Sequence, residues 1–211
     1  MDMKSEKNDL VAVAVTLPLA FALWYGVFAL HEGNFWLKIS LSATLLAVIS
    51  LWAMGAVREQ LLTIKKRHLG LGIASAVFLY VIFWLGKFIL TSLYPGAPTE
   101  IESVYARREA MPPWLIALLL LLVTGPAEEI YWRGLLQRVL VQRIGPMSGL
   151  LLATACYALV HIWTLNTALV LAAFTAGLIW GWLYLVERSL VPVIISHAIW
   201  SVAIFVLLPL S

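Results

Sequence analysis

Thr124-Gly125-Pro126-Ala127-Glu128-Glu129-Ile130-Tyr131-Trp132-Arg133-Gly134 follows directly on the apolar run from Trp114 to Val123. The stretch therefore reads as part of a membrane-spanning helix. Carboxylates and an arginine at bilayer depth each cost about 2.5–3.5 kcal/mol even on translocon-insertion scales, so such groups are retained there for chemistry, ion passage or a buried polar pair. Glu129 and Arg133 are spaced i, i+4 and can pair along one helix face. Glu128 is rotated about 100° from Glu129 and has no partner within its own helix. What Glu128 faces is the question put to the rest of the chain.

The composition answers the question of class. The 211 residues are 63% hydrophobic and only 12% charged, with a mean hydropathy of +0.95, which is an integral membrane protein and not an ordinary soluble domain. Ten tryptophans suit a chain with two lipid–water interfaces. The net charge of +3 sits in the connections and reads as a topology signal, not a nucleic-acid footprint. The single cysteine, Cys156, excludes an intramolecular disulfide. No cleavable signal peptide is expected, because the first apolar stretch is too long and ends at Leu30-His31-Glu32, which is no small-residue cleavage site.

Apolar runs fall at Leu10–Leu30, Phe35–Val57, Leu69–Leu93, Pro113–Val141, Met147–Trp163, Thr167–Val186 and Leu190–Leu210. Each is near the ~20 residues that cross a hydrocarbon core, so the expected fold is all-α, a polytopic bundle of about seven spans, the fifth the shortest. The polar connection Thr91–Met111 divides it into three N-terminal helices (1–111) and a four-helix core (112–211). No internal repeat favours an inverted-repeat transporter. Lys4 and Lys7, then Arg58, Lys65, Lys66 and Arg67, then Arg138 and Arg143, then Arg188 share one side if the helices alternate. That side is expected to be the cytoplasm, with the N-terminus inside and the C-terminus outside. Trp36, Trp114 and Trp163 mark helix ends at the opposite interface, and Arg107 and Arg108 are exceptions to the charge rule.

Two histidines lie within the later spans, His161 in Cys156-Tyr157-Ala158-Leu159-Val160-His161 and His197 in Ser196-His197-Ala198-Ile199-Trp200-Ser201. Counted from the cytoplasmic helix ends, Glu128 and His161 lie about 20 Å deep and His197 nearer about 10 Å. One carboxylate and two imidazoles can do specific chemistry: Glu128 as general base, a water held between Glu128 and His161 as nucleophile, and His197 with the Ser201 hydroxyl as donors to a developing oxyanion. Pro126 removes a backbone hydrogen bond and loosens the helix beside the carboxylates. Blander readings stand beside these. A single intramembrane histidine commonly makes a helix-to-helix hydrogen bond, Ser201 can simply pack, and Glu129–Arg133 can be purely structural. Gly177 and Gly181 form a GxxxG packing pattern. The residues alone leave a catalytic or ion-handling site and a structural polar bundle both open.

In order and spacing these residues resemble the CPBP intramembrane proteases, also called the Abi or CAAX-protease family. Glu128-Glu129-x-x-x-Arg133 resembles the first motif. Tyr157-x-x-x-His161 resembles the second, where the family usually has Phe. Phe174, Gly177 and Gly181, then Ser189-Leu190 and His197, resemble the third, whose polar residue four positions on is usually Asn and here is Ser201. The resemblance covers roughly Pro113 to Leu210. It implies a bundle with a membrane-embedded polar cavity and endopeptidase activity on a membrane-associated peptide or protein. In it Glu128 and His161 activate water, while His197 and residue 201 stabilise the oxyanion. Glu129, Arg133 and Tyr157 support the site. Family members have been read as glutamic and as metalloproteases; the metal-free mechanism is favoured, and zinc, if present, would fall to Glu128, His161 and His197. The expected location is a bacterial inner membrane, the partners its lipids and a peptide or protein substrate, with no nucleic acid. The alternative is a non-catalytic scaffold or bacteriocin-immunity-type protein retaining the fold, and a small proton-coupled transporter carrying protons on Glu128 is a third class.

Overall fold

The structure, a computed structural model, describes residues 3–210, and side chains from residue 8 onward; those of Lys4 and Lys7 lie outside the described residues. Helices, with no strand among the described residues, build the whole of it. Six are long and apolar enough to cross a membrane: α1 (Met3–Phe28), α2 (Phe35–Met54), α3 (Lys66–Leu93), α4 (Pro113–Ile144), α5 (Pro146–Thr164) and α6 (Thr167–Glu187). The seventh, α7 (Val191–Leu207), is shorter than these. The chain is an integral membrane protein, with seven apolar helices of which the last is too short to count as a full span by length alone.

Local chemistry explains where the helices begin. Asn34 caps α2 by accepting from the N–H groups of Trp36 and Leu37, and Asn166 caps α6 by accepting from Leu169 N–H at 2.7 Å. Proline stands in the first turn of α4, α5 and α7, where its missing N–H costs nothing. α4 is continuous but not uniform: Leu120–Thr124 and Ile130–Gln137 are π-helical, on either side of the α-helical turn Gly125–Glu129. Pro126 sits between the two widened segments, consistent with the loosening expected of it.

Contacts sort the helix ends into two groups. At one end Asp9 pairs with Arg138 at 2.8 Å, both buried, and Arg67 pairs with Glu187 at 2.8 Å. The short helix Val57–Leu61, reached through Gly55 at φ 53°, lies at the same end, where Leu61 C=O accepts from Leu190 N–H at 2.9 Å. The basic connections thus gather together, as the charge pattern requires. At the other end the helix Ala97–Tyr105 and the 3-10 turn Ala106–Ala110 fold across the bundle. Asn166 donates to Glu100 C=O at 2.7 Å, Ala168 N–H donates to the Glu100 carboxylate at 2.8 Å, and Leu210 N–H donates to Tyr105 Oη at 3.0 Å.

Three expectations change. Trp36 is buried, 2% exposed, and is no lipid anchor: its indole N–H donates to the Arg107 carbonyl at 3.0 Å. Arg107 is no free loop charge either, since its guanidinium lies over the rings of Phe28 and Phe35. The shallow depth counted for His197 was an artefact of assuming that α7 starts at the surface. Leu190 is fully buried beneath Leu61, so the helix begins inside the bundle and His197 reaches the level of the α4 carboxylates.

Candidate active site

Glu128, Tyr157, His161, His197 and Ser201 all line one cavity of about 490 Å³. Glu129 and Arg133 do not line it; they lie behind its wall, 0% and 2% exposed. The adjacent carboxylates therefore have different surroundings, as their 100° separation on the helix dictates. Glu129 Oε1 accepts from Arg133 Nη1 at 2.9 Å and from His197 Nδ1 at 2.6 Å. Glu128 Oε2 accepts from the Tyr157 hydroxyl at 3.2 Å, and no cation pairs with it among the described residues. The Glu129–Arg133 pairing is the one the spacing indicated. The Glu129–His197 bond was invisible to it, because the two residues are 68 positions apart on different helices.

Each imidazole has a fixed orientation. The backbone carbonyl of Tyr157 lies 2.8 Å from His161 Nδ1. A carbonyl can only accept, so Nδ1 carries the proton and Nε2 is the nitrogen left for substrate or water. His161 sits where α5 tightens into the 3-10 turn Val160–Thr164, its ring edge-on to Trp24 and Tyr157 and beside Phe28 at 5.5 Å. His197 is stacked on Trp180, ring centroids 3.9 Å apart and planes 16° off parallel. Trp180 is itself held by its indole N–H donating to Ser196 Oγ, which in turn donates to Ser75 on α3. With Nδ1 given to Glu129, His197 also keeps Nε2 as its free nitrogen.

Small residues let these helices meet. A Cβ on Gly125 would come within 3.2 Å of the Ala198 Cα, so glycine admits α7 against α4 beside His197. Gly177 and Gly181 admit α6 against α5 and α4, and their carbonyls accept from Arg133 Nη2 at 3.3 Å and Gln137 Nε2 at 2.9 Å. The GxxxG pattern thus serves packing and also supplies acceptors for buried donors of α4. Nothing in the local sequence marks Trp180 or Gln137 as supporting residues. Gly125-Pro126 was the one local signal, a pair of helix-weakening residues one turn before the carboxylates.

Among the described residues no three His, Cys, Asp or Glu side chains are grouped so as to hold a metal ion. Glu128, His161 and His197 share a cavity without forming a zinc-ligand set in this arrangement.

A polytopic helical bundle holding ionisable groups around a buried cavity is a class with several functions, and similarity narrows it. Residues 110–203 match the family model described as Rce1-like, type II CAAX prenyl endopeptidase Rce1-like. Over that stretch, which holds the four C-terminal helices, the chain is similar to CAAX-type membrane endopeptidases at the level of the family. It spans every motif residue from Glu128 to Ser201 and none of α1, α2 or α3. No curated protein and no solved structure matches the chain significantly.

Proposed function

We propose that this chain hydrolyses a peptide bond of a membrane-associated peptide or protein, using Glu128 as general base toward a water in the cavity. One observation carries the reading: a buried carboxylate with no cationic partner, two imidazoles with Nδ1 already engaged, and a hydroxyl all face the same space. Glu128 takes a proton as the water oxygen attacks the carbonyl carbon, with His161 Nε2 orienting that water. The carbonyl π electrons move to oxygen, and Ser201 Oγ donates to the resulting oxyanion together with His197 Nε2, which acts here on the imidazolium form of the ring whose Nδ1–H is held by Glu129. Collapse of the tetrahedral intermediate breaks the C–N bond, and Glu128 returns its proton to the leaving amine. Glu129 and Arg133 act through His197 and through the wall of the cavity. The membrane in question is read as a bacterial inner membrane with the basic helix ends cytoplasmic.

The test is peptidomics of membranes carrying the wild-type chain or Glu128→Gln at matched abundance, with and without 1,10-phenanthroline. A set of peptides that disappears with Glu128→Gln and persists with the chelator is expected. Identical peptide sets from both proteins would reject proteolysis and return the scaffold reading. Loss with chelator would replace the metal-free mechanism.

A further inference from the structure

Among the described residues the cavity lining carries three charged side chains, Glu128, Lys87 and Arg107. Arg107 belongs to the connection between the two halves, not to a span. Its Cζ lies 4.5 Å from the Phe35 ring centroid and 5.2 Å from that of Phe28. Its Nε is buried with no hydrogen-bond partner, and no carboxylate among the described residues pairs with it. Burial pushes its pKa down, but a guanidinium remains cationic at neutral pH. A half-buried cation with unfilled donors in an otherwise apolar, aromatic sleeve lacks an anion. Phe28 links it to the site, since the same ring lies 5.5 Å from His161. Arg107 and the His161 imidazole are therefore within roughly 11 Å of each other, about three residues of extended peptide at ~3.3 Å each.

We propose that Arg107 is a specificity-determining residue that binds an anionic carboxylate of the substrate within about three residues of the scissile bond. The carboxylate is either the substrate's own C-terminus or an acidic side chain. This rests on the endopeptidase reading of the same cavity. The planar guanidinium, lying over the adjacent Phe28 and Phe35 rings, offers the paired donors that a carboxylate takes bidentately. Lys87 is a flexible single-point cation by comparison. Residue 107 holds Trp36 through its backbone carbonyl, so the side chain can be changed without removing that bond, and its contacts with the Phe28 and Phe35 rings are what the melting control reports on.

Binding separates this from turnover. Three short apolar peptides serve as probes with the full chain in detergent: one with a free C-terminal carboxylate, its C-terminal amide, and the amide bearing one Asp near its end. Affinity is measured on the Glu128→Gln protein, alone and combined with Arg107→Gln, Arg107→Lys or Lys87→Gln, with thermal melting as the check of fold. The expected result is that at least one anionic peptide binds about tenfold or more tighter than the plain amide, the worth of charge-assisted hydrogen bonds to a buried group. Arg107→Gln abolishes that preference, Arg107→Lys keeps part of it, and Lys87→Gln leaves it intact. The free-acid peptide and the Asp peptide distinguish the two carboxylate sources. Equal binding of acid and amide, including none of either, overturns the proposal, as does a preference that survives Arg107→Gln or vanishes with Lys87→Gln. If acid-selective binding holds but the wild-type chain cleaves nothing, the anion site stands and the protease reading falls.

Discussion

Replacing Glu129 by Gln removes the charge that neutralises Arg133, while Glu128→Gln changes a carboxyl that has no ion-pair partner among the described residues. Arg133 is 2% exposed and Glu129 fully buried, so the first change leaves a buried guanidinium without its counter-charge. Breaking a buried pair in this way costs about 3–5 kcal/mol, against a total stability of about 5–15 kcal/mol for an ordinary domain. Gln keeps one acceptor oxygen, and Arg133 also donates to Gly177 C=O, so the lower end of that range is expected. Glu128→Gln loses at most one hydrogen bond, from Tyr157 at a long 3.2 Å, worth about 1 kcal/mol or less. Thermal unfolding in bicelles should therefore show a large fall in melting temperature for Glu129→Gln and a small one for Glu128→Gln. Adding Arg133→Gln to Glu129→Gln should recover part of the loss, because both ends of the pair are then neutral. The folded fraction of Glu129→Gln should also turn over more slowly, since His197 Nδ1 loses its carboxylate acceptor. Equal stability losses from the two single changes, or no recovery in the double variant, would refute the division between a structural and a chemical glutamate.

Tyr157→Phe should cost about 1 kcal/mol or less and retain turnover, because the ring contacts with Trp132, His161 and Arg133 persist, whereas Tyr157→Leu should lose both; kcat/KM and melting of the two variants decide it. Gly125→Ala forces a methyl toward the Ala198 backbone and should destabilise by about 1–3 kcal/mol while slowing turnover through displacement of His197; a neutral result would mean that α7 is not held there. Ser201→Ala should be slower by up to the roughly 10²–10³-fold of one lost oxyanion donor, and Ser201→Asn at least as active as wild type; equal rates for Ala and Ser with an inactive Asn would make Ser201 a steric feature only. A reporter fused at Lys66 should read cytoplasmic and one at Glu102 exterior, and the reverse would invert the orientation drawn from the basic connections.

The parts of this molecule that were legible in the chain are those governed by local periodicity. Twenty-residue apolar runs become spans because hydrocarbon demands satisfied backbone groups, and Glu129–Arg133 pairs because i and i+4 share a helix face. What was not legible depends on where one helix stands against another. The register of α7 could not be counted, because Leu190 is tucked beneath Leu61 and the helix starts at depth. Asp9, in α1, is buried against Arg138 from α4, a pairing that no local pattern announces. Trp36 had the composition of an interfacial anchor and is instead a donor to the connection that carries Arg107. Sequence distance hid the Glu129–His197 bond altogether.

The two adjacent glutamates show how one turn of helix divides a structural task from a chemical one. On Glu129 Oε1 converge a guanidinium and an imidazole N–H, which offset the burial of its charge, while its Oε2 is buried without a hydrogen-bond partner. Glu128, one residue earlier, is also buried but meets only a phenol on one oxygen and open cavity on the other side. A fold under selection for stability alone has no use for that second carboxylate, since an apolar side chain there would cost less. The same contrast separates Arg133, whose donors are taken up by Glu129 and Gly177, from Arg107, whose Nε has no partner. What sets Glu128 and Arg107 apart is that both line the cavity and neither has an ion-pair partner among the described residues. Glu128 and Arg107 both line that space, and the Phe28 ring lies beside both the Arg107 guanidinium and the His161 ring.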